Sequence, residues 1–127
     1  MFEVNNIKFL SVQHKRNYEK LISRMKSEDE YHSPLAYLFS LNSDCFNHVN
    51  DLFDFEDDCI KLDGLNKAWQ TSTSLQTVRL AFNLWNFNCF YNDDGEVDAN
   101  FCVSNIFGCT YVEYFCEAVK LRYPFHY

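Results

Sequence analysis

The chain has 127 residues, 18 acidic against 11 basic side chains, a net charge of -7, and 13 Phe, eight Tyr and two Trp. A chain of this length forms one domain, here residues 1–127, and buries roughly two-thirds of its unfolded surface, so its core needs neither metal nor disulfide. Its negative charge argues against direct binding to nucleic acid or to an anionic membrane, and it has no apolar run of membrane-spanning length.

Residues Asn5 to Leu10 read as a lead-in, and Ser11 supplies a cap for the first helix. His14, Tyr18, Leu21 and Met25 then recur at helical spacing, with Ile22 widening the stripe. Six of the 11 basic residues (Lys8, Lys15, Arg16, Lys20, Arg24 and Lys26) lie in or beside this helix, which should end near Ser27. Ser33-Pro34 is a helix start, a capping hydroxyl followed by proline at the first helical position. Leu35, Tyr37, Leu38, Phe39 and Leu41 make that second helix apolar almost all round, which places it centrally. Asn42-Ser43-Asp44 breaks it, and Asp44 can cap a short third helix with Cys45, Val49, Leu52 and Phe53 facing inward.

An acidic run follows, Asp54-Phe55-Glu56-Asp57-Asp58 with Asp63 close behind, and it reads as a loop or irregular turn. Leu65 to Trp69 fits one or two helical turns. Thr71 to Ser74 offers capping hydroxyls for the strongest helical segment, Leu75 to Trp85, which reads as the core helix around which the others pack. A second acidic run occupies Asn92 to Asp98. Phe101 to Val103 fits a brief strand or the lead into a helical turn. Thr110 and Glu113 form a capping-box pattern for a last helix that Pro124 ends. The aromatic close, Tyr123 to Tyr127, is expected to pack on the body or on a second subunit. The fold class is therefore mainly α, a compact helical bundle around a central apolar helix, with one or two very short strands.

Six cysteines invite a disulfide framework, but no secretory leader accompanies them. Reduced, mostly buried thiols in a cytoplasmic protein are the expectation. The two acidic runs, with Asp63, hold five and four of the 18 carboxylates, and clustered carboxylates suit a hard cation or a basic partner. The calcium-loop template fails at the second run, where Val97 or Gly95 falls at the wrong position. Whether any metal binds is left open, and no cofactor is indicated.

The candidate polar or ligand-contact residues are His14, Asp54, Glu56, Asp57, Trp69, Gln70 and Arg79. His14 lies on an apolar stripe and also suits a satisfied core position. Together with the Asp54 to Asp58 run, His14 or His48 would imitate a hydrolase metal centre. Trp69 can stack on a ligand that Gln70 reads, or belong to the core. Arg79 can tie to the Asp54 to Asp58 run or bind an anion. No nucleophile elbow, phosphate loop, dinucleotide fingerprint or zinc spacing is present, so no catalytic residue is assigned.

Five segments carry a resemblance: His14-Lys15-Arg16-Asn17-Tyr18; Phe53-Asp54-Phe55-Glu56-Asp57; Gly64-Leu65 to Trp69-Gln70-Thr71; Leu80-Ala81-Phe82-Asn83-Leu84-Trp85-Asn86; and Glu117-Ala118-Val119-Lys120-Leu121-Arg122-Tyr123-Pro124. In this order they resemble a family of small uncharacterised Firmicutes proteins, a domain of unknown function found in chromosomes and mobile elements, over about Phe9 to Pro124. The resemblance implies no activity, cofactor or binding residue. Phe87 stands where such proteins have Gly, which puts a tight helix end there in doubt.

The expected function is a non-enzymatic module that binds another protein, a basic one by charge, through its acidic loops or aromatic C-terminus. Such a role includes acidic mimicry encoded by a mobile element. The alternative is a small metal-dependent hydrolase or ligand-binding enzyme built on Asp54, Glu56 and Asp57. A homodimer formed through the last helix is a third expectation.

Overall fold

The computed structural model describes residues 6–85 and 99–124. Six α-helices and one two-stranded ladder form among them: α1 (Val12–Arg24), α2 (His32–Leu41), α3 (Ser43–Asn47), β1 (Phe53–Asp54), β2 (Cys59–Ile60), α4 (Ser72–Leu84), α5 (Val103–Phe107) and α6 (Val112–Arg122). Short 3₁₀ turns at Val49–Asp51, Leu62–Asn66 and Ala99–Phe101 complete the path. The fold is mainly helical with short strands, as the pattern indicated. The second acidic run, the Asn86-Phe87 helix end and Phe125 to Tyr127 lie outside the described residues.

The centre of the bundle is α2. All ten of its residues are buried, and it packs against α1, α3, α4 and α6. A helix buried on every side cannot be amphipathic, and α2 accordingly carries no Lys, Arg, Asp or Glu. This corrects the reading of Leu75 to Trp85 as the axis. Helix α4 buries Val78, Ala81, Phe82 and Leu84, but Leu75 and Trp85 are only half-buried. It is a flank of the core, joined to α2 by Phe82, whose ring meets Phe39 edge to face at 6.5 Å between centroids.

Helix α1 turns His14, Tyr18 and Leu21 inward, and Ser11 Oγ accepts the His14 N–H as the pattern implied. Other helix starts differ from the reading. Helix α2 begins one residue before Ser33, because Asp29 Oδ1 accepts the N–H groups of both Tyr31 and His32 and so caps the helix from outside. Asn42, not Asp44, caps α3 through the Cys45 N–H. The Thr110–Glu113 capping box does not form, since α6 begins at Val112 and Glu113 is drawn to the Lys8 ammonium. Thr71 and Ser74 do form a reciprocal box at the start of α4.

The thiols also depart from expectation. Of the five described, Cys45 is buried, Cys109 half-buried, and Cys59, Cys102 and Cys116 exposed. Cys102 and Cys116 each follow a buried phenylalanine, Phe101 and Phe115, and so fall on the outer side of their turns.

Candidate functional site

The first acidic run is a turn, as its sequence suggested, and it forms the tip of a small β-hairpin. Phe53 pairs with Ile60 and Asp54 with Cys59, leaving Phe55 to Asp58 as a four-residue connection. Two of its four carboxylates shape the turn. Asp54 Oδ1 accepts the N–H groups of Glu56 (3.0 Å) and Asp57 (2.9 Å), and these bonds hold its pKa below the ordinary carboxylate value. Asp58 closes the turn at φ 57°, a left-handed conformation that aspartate tolerates better than most residues. Glu56 and Asp57 remain exposed at the tip.

The hairpin is anchored at several points. Phe53 is buried and meets Trp85 and Phe55 edge to face at 5.3 and 5.1 Å. The Arg24 guanidinium lies 3.9 Å from the centre of the Phe55 ring and donates to Asn50 Oδ1. Asp58 Oδ1 lies 2.7 Å from His32 Nε2.

His32 is the electrostatic centre of this region. Its side chain is 8% exposed, and its other nitrogen, Nδ1, lies 2.8 Å from Asp29 Oδ1. A neutral imidazole carries one N–H, so two short contacts to carboxylates call for the doubly protonated ring. Burial works against that charge, but hydrogen bonding and attraction from Asp29 and Asp58 outweigh it and raise the His32 pKa. Burial likewise opposes the Asp29 carboxylate. The His32 and Tyr31 N–H groups, the Ser27 hydroxyl and the His32 ring prevail there, bringing its pKa down to about 2. The Trp85 ring lies edge to face with His32 at 5.1 Å, closing the apolar side.

Ser27 Oγ stands 3.3 Å from His32 Nδ1 and donates to Asp29 Oδ2 at 2.7 Å. Ser27, His32 and Asp58 are thus the residue types of a hydrolytic triad. The electrostatics differ from those of a triad, in which the histidine presents a lone pair to the serine hydroxyl. Here that nitrogen faces a second carboxylate, and a doubly protonated ring accepts no proton.

The other candidates are spread over the molecule. His14 is buried across α1 and α2. Its Nε2–H donates to the Tyr37 carbonyl at 2.9 Å and its Nδ1 accepts the Leu10 N–H at 3.0 Å, which fixes one neutral tautomer. Burial lowers its pKa, outweighing the hydrogen bond to the Tyr37 carbonyl, which acts to raise it. His48 stacks on Trp69 at 4.6 Å and 10°, while the Trp69 indole N–H donates to Asp51 Oδ2. Gln70 is engaged at both ends, donating to the Gly64 carbonyl and accepting from Ser74 Oγ. The Arg79 guanidinium lies 5.9 Å from the centre of the Phe101 ring, while the Asp54 and Asp58 carboxylates have the partners described above.

Asp54, Glu56 and Asp57 are therefore together, while His14, Trp69, Gln70 and Arg79 lie elsewhere. No acid of the hairpin tip lines a described hollow. A groove of about 520 Å³ is bounded by Ile7, Phe9, Tyr18 and Ile22 with Lys15 and Glu28, and a second of about 590 Å³ lies at the hairpin foot between Asp51 and Lys67. Among the described residues no group of three or more His, Cys, Asp or Glu is placed to hold a metal ion. No described helix is long and apolar enough to cross a membrane.

Sequence reasoning missed His32, Asp29 and Ser27, and it left Asp58 as one acid among several. A local signal was present: Ser27-x-Asp29-x-x-His32 puts a capping carboxylate three residues ahead of the first helical residue. The Asp58 contact spans 26 residues and leaves no mark in the pattern.

The chain belongs to a family of unknown function (DUF6075), whose model matches residues 4–127. No curated protein and no solved structure matches it.

Proposed function

We propose that this family member is a small non-enzymatic module that binds another protein, receiving a basic surface on the tip of its acidic hairpin. One observation supports the reading most. Asp54 and Asp58 are used to fix the turn, and Glu56 and Asp57 are left exposed side by side on a braced loop. A charged pair already held in place loses little conformational freedom on binding, and it favours fast, salt-sensitive association with a basic partner. With the net charge of -7, acidic mimicry of a nucleic acid toward a nucleic-acid-binding protein is the form of this role we favour.

The hydrolase alternative needs Asp54, Glu56 and Asp57 in one pocket with His14 or His48. Both histidines are committed elsewhere, one to backbone groups and one to Trp69.

The test is capture of partners from the source organism at low and moderate ionic strength, with wild type beside the double variant Glu56→Lys, Asp57→Lys. Expected is a partner held by wild type at low salt, weakened at moderate salt and lost with the charge-reversed tip. A partner retained equally by both proteins, or none at either salt, counts against the reading.

A further inference from the structure

The three-part contact Asp29–His32–Asp58 joins two elements distant in sequence, the start of the central helix and the acidic turn. Its two halves are unequally supported. Asp29 also receives the backbone N–H groups of Tyr31 and His32 and the hydroxyl of Ser27, whereas His32 supplies the side-chain hydrogen bond seen at Asp58. Asp58 further sits at positive φ, a conformation that the surrounding contacts must maintain.

Loss of one proton from the His32 ring leaves a single N–H for two carboxylates. That N–H stays with Asp29, where the helix cap already holds the acceptor in position. The bare Nε2 lone pair then faces the Asp58 carboxylate across 2.7 Å, a repulsive arrangement that either a shift of the turn or a water must relieve.

We propose that His32 is a proton-operated latch for the acidic hairpin: doubly protonated, it holds the turn against the bundle; singly protonated, it releases the Asp58 side while the cap of α2 stays intact. The inference deepens the binding role proposed above and rests on it, since the latch would govern how firmly Glu56 and Asp57 are presented.

The direction follows from the surroundings. From the segment before α2, Asp29 faces the ring and Ser27 Oγ lies 3.3 Å from it. From the hairpin, Asp58 faces it, while Asp54 is turned to its own backbone. From α4 comes the uncharged Trp85. From α6, Arg122 lies over the ring of the adjacent Tyr31, 4.1 Å from its centre. Glu28 of the same segment is bonded to the Tyr18 hydroxyl. Burial opposes the charge, but contact with Asp29 and Asp58 outweighs it and leaves the folded pKa above 6.5. The latch is therefore fully set below pH 6.5 and opens as pH rises through the raised value.

The experiment is amide hydrogen exchange on the isolated chain from about pH 5.5 to about pH 8.5, corrected for the intrinsic pH dependence of exchange. The Lys61 N–H, bonded to the Leu52 carbonyl at the hairpin base, reports the turn; the His32 N–H, bonded to Asp29, reports the cap; Phe39 reports the core. In wild type, protection at Lys61 is expected to fall roughly tenfold across the His32 titration, the order of magnitude for losing one hydrogen bond to a charged group. His32 and Phe39 should change less than about twofold, because local opening of the hairpin leaves those bonds in place. Asp58→Asn, which leaves the helix cap alone, is expected to abolish the pH dependence at Lys61, and so is His32→Gln. Protection at Lys61 that is flat in wild type, or that falls equally in Asp58→Asn, overturns the latch. So does loss at His32 ahead of Lys61. No partner is present in this experiment, so a failed latch leaves the binding role standing, and a failed capture leaves these exchange rates unaffected.

Discussion

Replacing Phe39 by alanine is expected to cost about 3–5 kcal/mol of folding stability, among the largest effects open to a core position here. Phe39 is fully buried in α2, and its ring contacts Phe82 of α4 edge to face. Removing it takes away the transfer free energy of the ring and leaves a void between two helices that the surrounding packing closes only in part. Against a typical total of about 5–15 kcal/mol, such a loss moves the urea midpoint far down or leaves the chain partly unfolded. Leu75→Ala provides the comparison, because Leu75 was read from sequence as part of the axis but is only half-buried. It should cost clearly less than Phe39→Ala. Equal losses in the two variants would return the axis to α4.

Gly64→Ala is expected to destabilise by about 1–3 kcal/mol, the reverse of the usual effect of adding a methyl at a compatible glycine. The backbone here is not in the left-handed region, so the conformation itself would accept alanine. Space is what forbids it. An added Cβ would lie 2.6 Å from the Asp51 carbonyl oxygen and 2.6 Å from Leu52 Cδ2. The first contact is backbone, and the second belongs to a fully buried side chain with little room to swing away. The same glycine accepts the Gln70 amide through its carbonyl, and its N–H bonds to Lys61. The strain would therefore spread to the hairpin foot and to the approach to α4. Chemical denaturation of wild type and variant decides it: a variant as stable as wild type, or more so, means that the close approach is not real.

Patterns of one element were legible in the sequence, and contacts between elements were not. The stripe His14, Tyr18, Leu21 gave α1, and the continuous apolar run Leu35 to Leu41 marked α2 as central. The same logic overrated Leu75 to Trp85, because Thr77 within it and Ser74 just before it are buried while Leu75 is not fully so. Polarity did separate the two segments, since α2 carries no Lys, Arg, Asp or Glu whereas Leu75 to Trp85 includes Gln76, Arg79 and Asn83; the number of neighbours packed around each does not show in sequence. The cap of α2 was misplaced because Ser33-Pro34 carries the standard start signal, whereas Asp29 captures the N–H groups one turn earlier.

The acidic run was recognised as the conspicuous feature, but its carboxylates were read as equivalent. Their division into two that brace the turn and two that face outward depends on the two-residue ladder and on His32, 26 residues away from Asp58. Trp69 and Gln70 were noticed as a polar-aromatic pair. Their partners turned out to be His48, Asp51, Gly64 and Ser74, all within the fold.

The whole account turns on His32 being a charged strut between two carboxylates and not a neutral base beside Ser27. The most direct measurement is a ¹⁵N NMR titration of the His32 ring in the folded chain. Both ring nitrogens are expected to be protonated below pH 6.5, with the titration midpoint above that ordinary value. A midpoint at or below that value, leaving one ring nitrogen unprotonated, would contradict the account and give the serine a competent base.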